Sequence, residues 1–591
     1  MQPFCIPRMM QATVHFGLCC PGRLGFPMTP PQSPSKGTQT RCSLYIQKDV
    51  LSHEYTIVSF SIFLSLAPGA SLKPPLSQQE GPQNTARISQ SEPQPVHDKN
   101  TTNFTRVQPL RSWLQSCDEC HDCRSDSRSK KRFLPARLLN VHPSGDPDQL
   151  RLDDASASEG NGYLALSHCW GKSAAGQSPM WRTLAANLAV RMQGFTLDEL
   201  PKTLQDAVLV TRGLGVPYLW VDSLCIVQDD ARDWNRESKR MEDVYASAYC
   251  TIAATSAPDS STGFLEGLPR NDGLFVESAD GRVAYVSTNV ADFDDDVNAS
   301  GLNRRAWVMQ ERLLSPRTIH FTSNQVYGEC GEGIYAGNGV FLRTRRGTKR
   351  YFQIDPKFPN RLRSSGFATT WEFLRSLLED YSRRGITEPS DRAVAVSGLM
   401  ARVQKALPCP VHHGIMDWYL HRSLLWHRGK AVTGRKIDYK SSTVPSWSWM
   451  AYEGPVGFLP DGFGTLDRFG HVSFDRTSLT TTVWEFTESG LRVVDAGIDS
   501  GRDHIYDSRG RSRGWITLDG DTESPLPRYL AVLARLKGGQ AEEHKYYVLF
   551  LQLMKPQEGE ERLWQMTYER LGMGMLEGDC ELRNVGQGSI L

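Results

Sequence analysis

Four groups of residues in this 591-residue chain have the types and spacing to do chemistry. The first is Ser167-His168-Cys169-Trp170, which places a hydroxyl, an imidazole, a thiol and an indole in succession. His168 and Cys169 suggest a base and a nucleophile. Adjacent side chains on an extended segment point to opposite faces, however, so the two are expected not to cooperate. The second is Asp222, directly after the apolar run Tyr218-Leu-Trp-Val221. Its carboxylate sits at a strand end, where it can serve a ligand or merely cap the next turn or helix. The third is Trp307-Val-Met-Gln-Glu311, whose spacing of four puts indole and carboxylate on one helix face. The bland reading is an amphipathic helix with Glu311 paired to Arg312 or Arg305. The fourth is Cys117, Cys120, His121 and Cys123, all residue types that hold zinc. Zinc sites usually pair two knuckles a dozen or more residues apart, and four ligands this close are cramped. A locally packed Cys/His helix without metal is expected.

Other chemistry is excluded by what is missing. Gly171-Lys-Ser173 imitates the end of a phosphate-binding loop, but that loop needs a Gly where Leu166 stands, so ATP or GTP hydrolysis is not expected. A hydrolase built on Ser167 or Cys169 lacks a nucleophile elbow. Cys225 and Cys250 lie in apolar runs and read as small core residues.

The elements that must position these groups are legible as strands alternating with helices. Tyr163–Leu166 is a short apolar strand ending at the Ser-His-Cys-Trp loop. Residues 201–214 carry Leu204, Ala207, Val208, Thr211 and Leu214 at helical spacing, with Pro201 in the first turn and Gly213 and Gly215 as the stop. Tyr218–Val221 is a second strand, 233–248 a helix, and Tyr249–Ala254 a third strand. A helix at Trp307–Leu314 and a strand at Thr318–Thr322 extend the series. This alternation predicts a parallel sheet with right-handed crossovers, binding ligands beyond the carboxyl ends of its strands. Ser167, Trp170 and Asp222 all fall there.

The rest of the chain divides by composition. Residues 1–105 are rich in Pro, Ser, Gln and Asn and read as disordered. Their most apolar stretch, Ile57–Ala67, is far short of the about 20 residues that span a bilayer, which leaves a buried strand or a misread coding segment. Residues 106–158 flank the sheet domain at 159–330, 331–440 are mainly helical, and 441–591 are β-rich, with SWSWM among the expected strands. Lys plus Arg number 67 against 66 Asp plus Glu, so no field draws the chain to nucleic acid or an anionic membrane. Thirteen Cys without framework spacing, behind a start that makes a poor signal peptide, suit a reducing cytoplasmic location. The Asn-x-Thr triplets at Asn100 and Asn103 then carry no glycan.

Three long segments together resemble the heterokaryon-incompatibility (HET) domain of filamentous fungi. They are Tyr163-Leu-Ala-Leu-Ser-His-Cys-Trp-Gly171, with His168 where the family usually has Tyr; Leu200–Ala207 with Tyr218–Asp230, Asp233-Trp234, Glu237, Met241, Val244-Tyr245 and Ala248; and Arg305–Arg317, closing with Glu329-Cys330. Weaker family features lie outside, at Trp113 with Cys117 and His121, Leu134–Arg137, Tyr381–Arg383, Asp391-Arg392, Pro445–Trp449 and Tyr568–Arg570. The resemblance implies a role in vegetative incompatibility, in which fused cells of unlike genotype die, with protein partners in that signalling and homo-oligomer assembly.

The family also looks distantly TIR-like, which implies a TIR-like, flavodoxin-like α/β fold and NAD+ as substrate, with no bound cofactor. Many TIR domains split the nicotinamide bond with one Glu on a helix after the third strand. The resemblance therefore casts Glu311 as the catalytic carboxylate, able to steady an oxocarbenium-like centre or hold a ribose hydroxyl. Ser167, Trp170, Asp222 and Trp307 are cast around the substrate, with the Trp170 ring free to stack on a flat group. The alternative is a recognition or scaffolding protein whose surface binds partners without chemistry.

Overall fold

A computed structural model describes residues 42–48, 54–60, 87–89 and 99–591. The last stretch is interrupted at 124–132, 159–161, 172–180, 267–273, 278–282, 288–291, 337–340, 343–361, 429–434, 440–443, 460–465, 496–501, 521–526, 537–544, 555–565 and a few shorter gaps. Lys172 and Ser173, all of Ser61–Ala67 and the basic loop at 124–132 lie outside the described residues.

The central sheet is built on four parallel strands: β3 (Tyr163–Ser167), β4 (Tyr218–Trp220), β5 (Cys250–Ala253) and β6 (Arg317–Phe321), which follow two antiparallel strands, β1 (Arg137–Asn140) and β2 (Gln149–Asp154). The parallel strands lie in the order β4-β3-β5-β6, so the chain steps one way after β3 and returns past it after β4. Antiparallel β1 and β2 border β4. On the other side, β7 (Val326–Cys330) and β8 (Gly333–Ala336) border β6. The sheet is therefore mixed, with a parallel centre and antiparallel margins.

Alternation along the strands decides which helix covers which face. Leu164, Leu166, Leu219, Val221 and Ile252 point to one side, against Leu204, Ala207 and Val208 of α2 (Lys202–Gly213) and against Leu110, Trp113 and Leu114 of α1 (Lys99–Cys120). Tyr163, Ala165, Tyr218 and Trp220 point to the other. There they meet Met241, Val244 and Tyr245 of α4 (Met241–Ser247) and Met309 and Leu313 of α5 (Ala306–Leu314). The single helix expected over 233–248 is two, because α3 (Ala231–Ser238) ends before α4 begins. The halves bury different chemistry: Asp233 of α3 is ion-paired to Arg137 at the start of β1, whereas α4 presents an apolar face to the sheet.

Within 1–105, read as disordered, three strands are described: Cys42–Lys48, Glu54–Phe60 and Arg87–Ser89. They form a five-stranded sheet with Leu274–Glu277 and Val283–Ser287.

Helices α6 (Phe367–Arg383) and α7 (Val394–Ala406) join the core on the α4/α5 face. Helix α7 comes so close that a Cβ added at Gly398 would lie 2.5 Å from Glu242 Cβ and 3.0 Å from Gln310 Oε1. Ser446–Met450, expected as a strand, is instead a buried series of tight turns, with Trp447 and Trp449 wholly enclosed. Ser448 accepts from Met450 N at 3.1 Å within the turn and donates to His413 O at 2.7 Å across 35 residues, and these side-chain bonds take the place of a ladder.

Beyond it, Ser478–Phe486, Leu582–Ile590, Met566–Glu577, Lys545–Leu553 and Tyr529–Leu536 pair in a closed ring, a five-stranded barrel with one parallel contact. Arg570 joins this barrel to the helical region. It is 0% exposed, donates to Asp519 Oδ2 at 2.7 Å, to Leu424 O at 2.7 Å and to Trp426 O at 2.6 Å, and lies 3.6 Å over the Trp426 ring.

Arg570→Ala strands the buried Asp519 carboxylate and two carbonyls, and is expected to cost about 3–5 kcal/mol in chemical denaturation. Arg570→Lys should recover little, because one ammonium cannot reproduce the fork. A loss under about 1 kcal/mol for Arg570→Ala would show that the barrel is held by its apolar contacts alone.

Candidate functional site

Ser167 is the last residue of β3 and shares the sheet face of Tyr163 and Ala165, the face covered by α4 and α5. Glu311, one turn from the end of α5, therefore comes to the carboxyl end of β3 along with Tyr245 from α4. The Glu311 carboxyl is only 6% exposed. Burial drives it up from 4.5 to about 7, the Arg305 guanidinium pulls it down, the Ser167 and Tyr245 hydroxyls favour its charged form, and Asp222 opposes it. Glu311 Oε2 and Ser167 Oγ are both buried and face each other, short of good hydrogen-bond geometry.

Asp222 opens the short helical turn after β4 and holds the rim of this site. Its Oδ1 accepts from Ser223 N at 2.7 Å and its Oδ2 accepts from Trp170 Nε1 at 3.0 Å, so it fixes the indole from the first position of the turn, whose N-cap is Val221. The Trp170 ring is not bare, since the Arg182 guanidinium lies 5.4 Å from its centroid. His168 is buried, 4.0 Å from Asp222 Oδ1, and burial lowers its imidazole to about 4, so it stays neutral near pH 7. Cys169 packs beside Ala253, Leu302 and Val308, and burial raises its thiol, which leaves it a poor nucleophile.

The structure thus brings Glu311, Ser167, Asp222 and Trp170 to one end of the sheet. Trp307 is elsewhere. Its indole donates toward Asp391 and lines a cavity of about 340 Å³ with Arg304, Arg305, Gly385, Ile386 and Thr387. A spacing of four gives a shared helix face, but the Trp side chain swings to the α5 flank that meets the 385–391 segment. The alternative partner Arg312 is also elsewhere, in a two-point ion pair with Glu329 at 2.9 and 3.0 Å.

One of the two residues that complete the site, Arg305, is the partner the sequence offered for Glu311; the other, Tyr245, was not singled out. Arg305, at the N-cap of α5, donates to His168 O and faces Glu311. Tyr245, T-shaped against Trp220 with centroids 5.6 Å apart, donates to Leu166 O at 3.1 Å. Tyr245 stood in the sequence only as part of a longer motif, and nothing in its spacing tied it to Glu311.

Residues 163–311 match the family model described as Heterokaryon incompatibility protein (HET), an interval that opens on β3 and closes on Glu311. The chain is 21% identical over 382 residues to heterokaryon incompatibility protein 6, OR allele, of Neurospora crassa, covering 61% of this chain. It spans about half of that relative, 51% of its length. No solved structure matches the chain. The stretch from the strand that starts at Tyr163 to the carboxylate at Glu311 is thus similar to a heterokaryon incompatibility domain.

Proposed function

We propose that this protein is a cytoplasmic effector of heterokaryon incompatibility that kills fused cells of unlike genotype, and that its HET domain does so by splitting NAD+. The observation that carries the chemistry is the convergence of Glu311 with Ser167, Arg305, Tyr245 and Asp222 at the carboxyl end of β3. The strand order β4-β3-β5-β6 supports a TIR-like, flavodoxin-like reading, because second-first-third-fourth is the succession of that doubly wound sheet. In such sheets the ligand crevice opens between the first and third strands, here β3 and β5.

In the proposed reaction the bond between ribose C1′ and the nicotinamide nitrogen breaks and its electron pair leaves with nicotinamide. Water then adds to C1′ and gives up a proton, yielding ADP-ribose. Ionised Glu311 holds a ribose hydroxyl and faces the positive charge growing at C1′. Ser167, whose hydroxyl faces Glu311, turns it to the ribose, and Arg305 neutralises the buried carboxylate between turnovers.

A second reading has its own observation. Glu311 is 6% exposed, so the site can be closed in this state, and a non-catalytic HET domain would act by binding protein partners or copies of itself.

Purified chain given NAD+ should release nicotinamide, and Glu311→Ala should lower the rate by about 10²-fold or more. No release from either monomer or oligomer ends the enzyme reading. Cell killing in a fungal host that survives a folded Glu311→Ala favours the scaffold.

The rate should also rise with pH through about 7, as Glu311 ionises. Stability carries the opposite sign. The folded state keeps the Glu311 proton between 4.5 and about 7, so this contribution is complete below 4.5 and is lost as pH rises through about 7. Glu311→Gln should therefore gain stability over wild type above pH 7 and none below 4.5. His168 is common to both proteins and drops out of that comparison. Equal stability profiles from pH 4 to 8 would show that Glu311 titrates like an exposed acid.

A further inference from the structure

Away from this site, at the far end of α1, four side chains converge that the function so far leaves unused. Cys117 and His121 are one helical turn apart, and the backbone bond from His121 N to Cys117 O at 3.1 Å keeps them on one face. Cys123 lies in the turn that follows. Cys330 ends β7, at the hairpin to β8, and its Sγ is 3.4 Å from His121 Nδ1 across 209 residues of chain. The three sulfurs and the imidazole nitrogen all lie within 4.8 Å of one another. A tetrahedron with sulfur arms of about 2.3 Å and a nitrogen arm of about 2.05 Å has a sulfur–nitrogen edge of about 3.6 Å. The observed separation is close to that edge.

We propose that Cys117, His121, Cys123 and Cys330 hold one zinc ion in a closed, structural Cys₃His site. Four protein ligands leave no open position for substrate, and tetrahedral sulfur with imidazole is the set that selects zinc over harder cations. Three thiolates with Zn²⁺ carry one net negative charge. Arg317 provides for it: the side chain is 0% exposed, acts on Cys117, and its Nη2 is buried without a hydrogen-bond partner. The Gly331 backbone donates toward Cys123, the outer-shell bond a thiolate ligand uses.

The four ligands are not the four that adjoin in sequence. Cys120 is exposed and turned off the cluster, and Cys330 takes its place, so the crowding that argued against a local site does not arise. The ion ties α1 to the sheet margin, where other contacts already press it. Asp118 meets Arg317 at 2.9 Å, and Trp113 stacks on Tyr335 and packs so closely on Gly328 that a Cβ there would lie 2.7 Å from the indole.

Metal analysis of the reduced, full-length protein by plasma mass spectrometry is expected to find one zinc per chain. Cys330→Ser and Cys123→Ser should each lose it, while Cys120→Ser keeps it. Wild-type protein reloaded with Co²⁺ should show thiolate-to-metal charge transfer and the strong d–d bands of a tetrahedral site. That spectrum decides the matter even if Cys330→Ser fails to fold. A zinc-free chain whose thiols all titrate, a disulfide among Cys117, Cys123 and Cys330, or zinc retained in both serine variants would overturn the proposal.

Discussion

Everything in the sheet domain follows from the need to cover both faces of a parallel strand set. Parallel strands cannot be joined by hairpins, so each connection crosses a face and leaves a helix there. With β3 feeding a helix to one side and β4 and β5 feeding theirs to the other, α2 and α5 are forced to opposite faces. Glu311 then has nowhere to point but into the layer between α5, α4 and the end of β3. Its desolvation, the neutral His168 and the hydroxyl of Ser167 are all results of this layering. A carboxylate held in such a layer is costly, and the fold retains it with Arg305 at the cap of the same helix.

Much of this layering was legible. YLALS, YLWV and YCTIAA are short apolar runs spaced by helical periods, and each became a central strand within a residue or two. The helix at 202–213 was equally plain, since Leu204, Ala207 and Val208 keep the period and Gly215, at φ +73°, supplies the stop. Periodicity could not show where a helix breaks when its faces change chemistry, which is what separates α3 from α4. Nor could it foresee Ser446–Met450, whose two Trp suggested a strand while Ser448 satisfied the backbone locally.

The candidate site was half legible for a related reason. Strand ends are readable, so Ser167, Trp170 and Asp222 could be placed together. Helix rotation is less so: Glu311 was correctly drawn to the strand ends, but Trp307 turned to Asp391. Contacts across long sequence separations were invisible. Arg305 with His168, Tyr245 with Leu166 and Cys330 with His121 are matters of tertiary placement, and no local spacing encodes them.

The close approach at Gly398 has a mechanical consequence. Without a side chain there, α7 rests directly on the side chains of Glu242 from α4 and Gln310 from α5, and even one methyl would have to displace them. On its other side α7 shares a core with the residues that surround Trp426, which Arg570 grips from the barrel. A larger residue at 398 would therefore press on both helices that bring Tyr245 and Glu311 to the strand end.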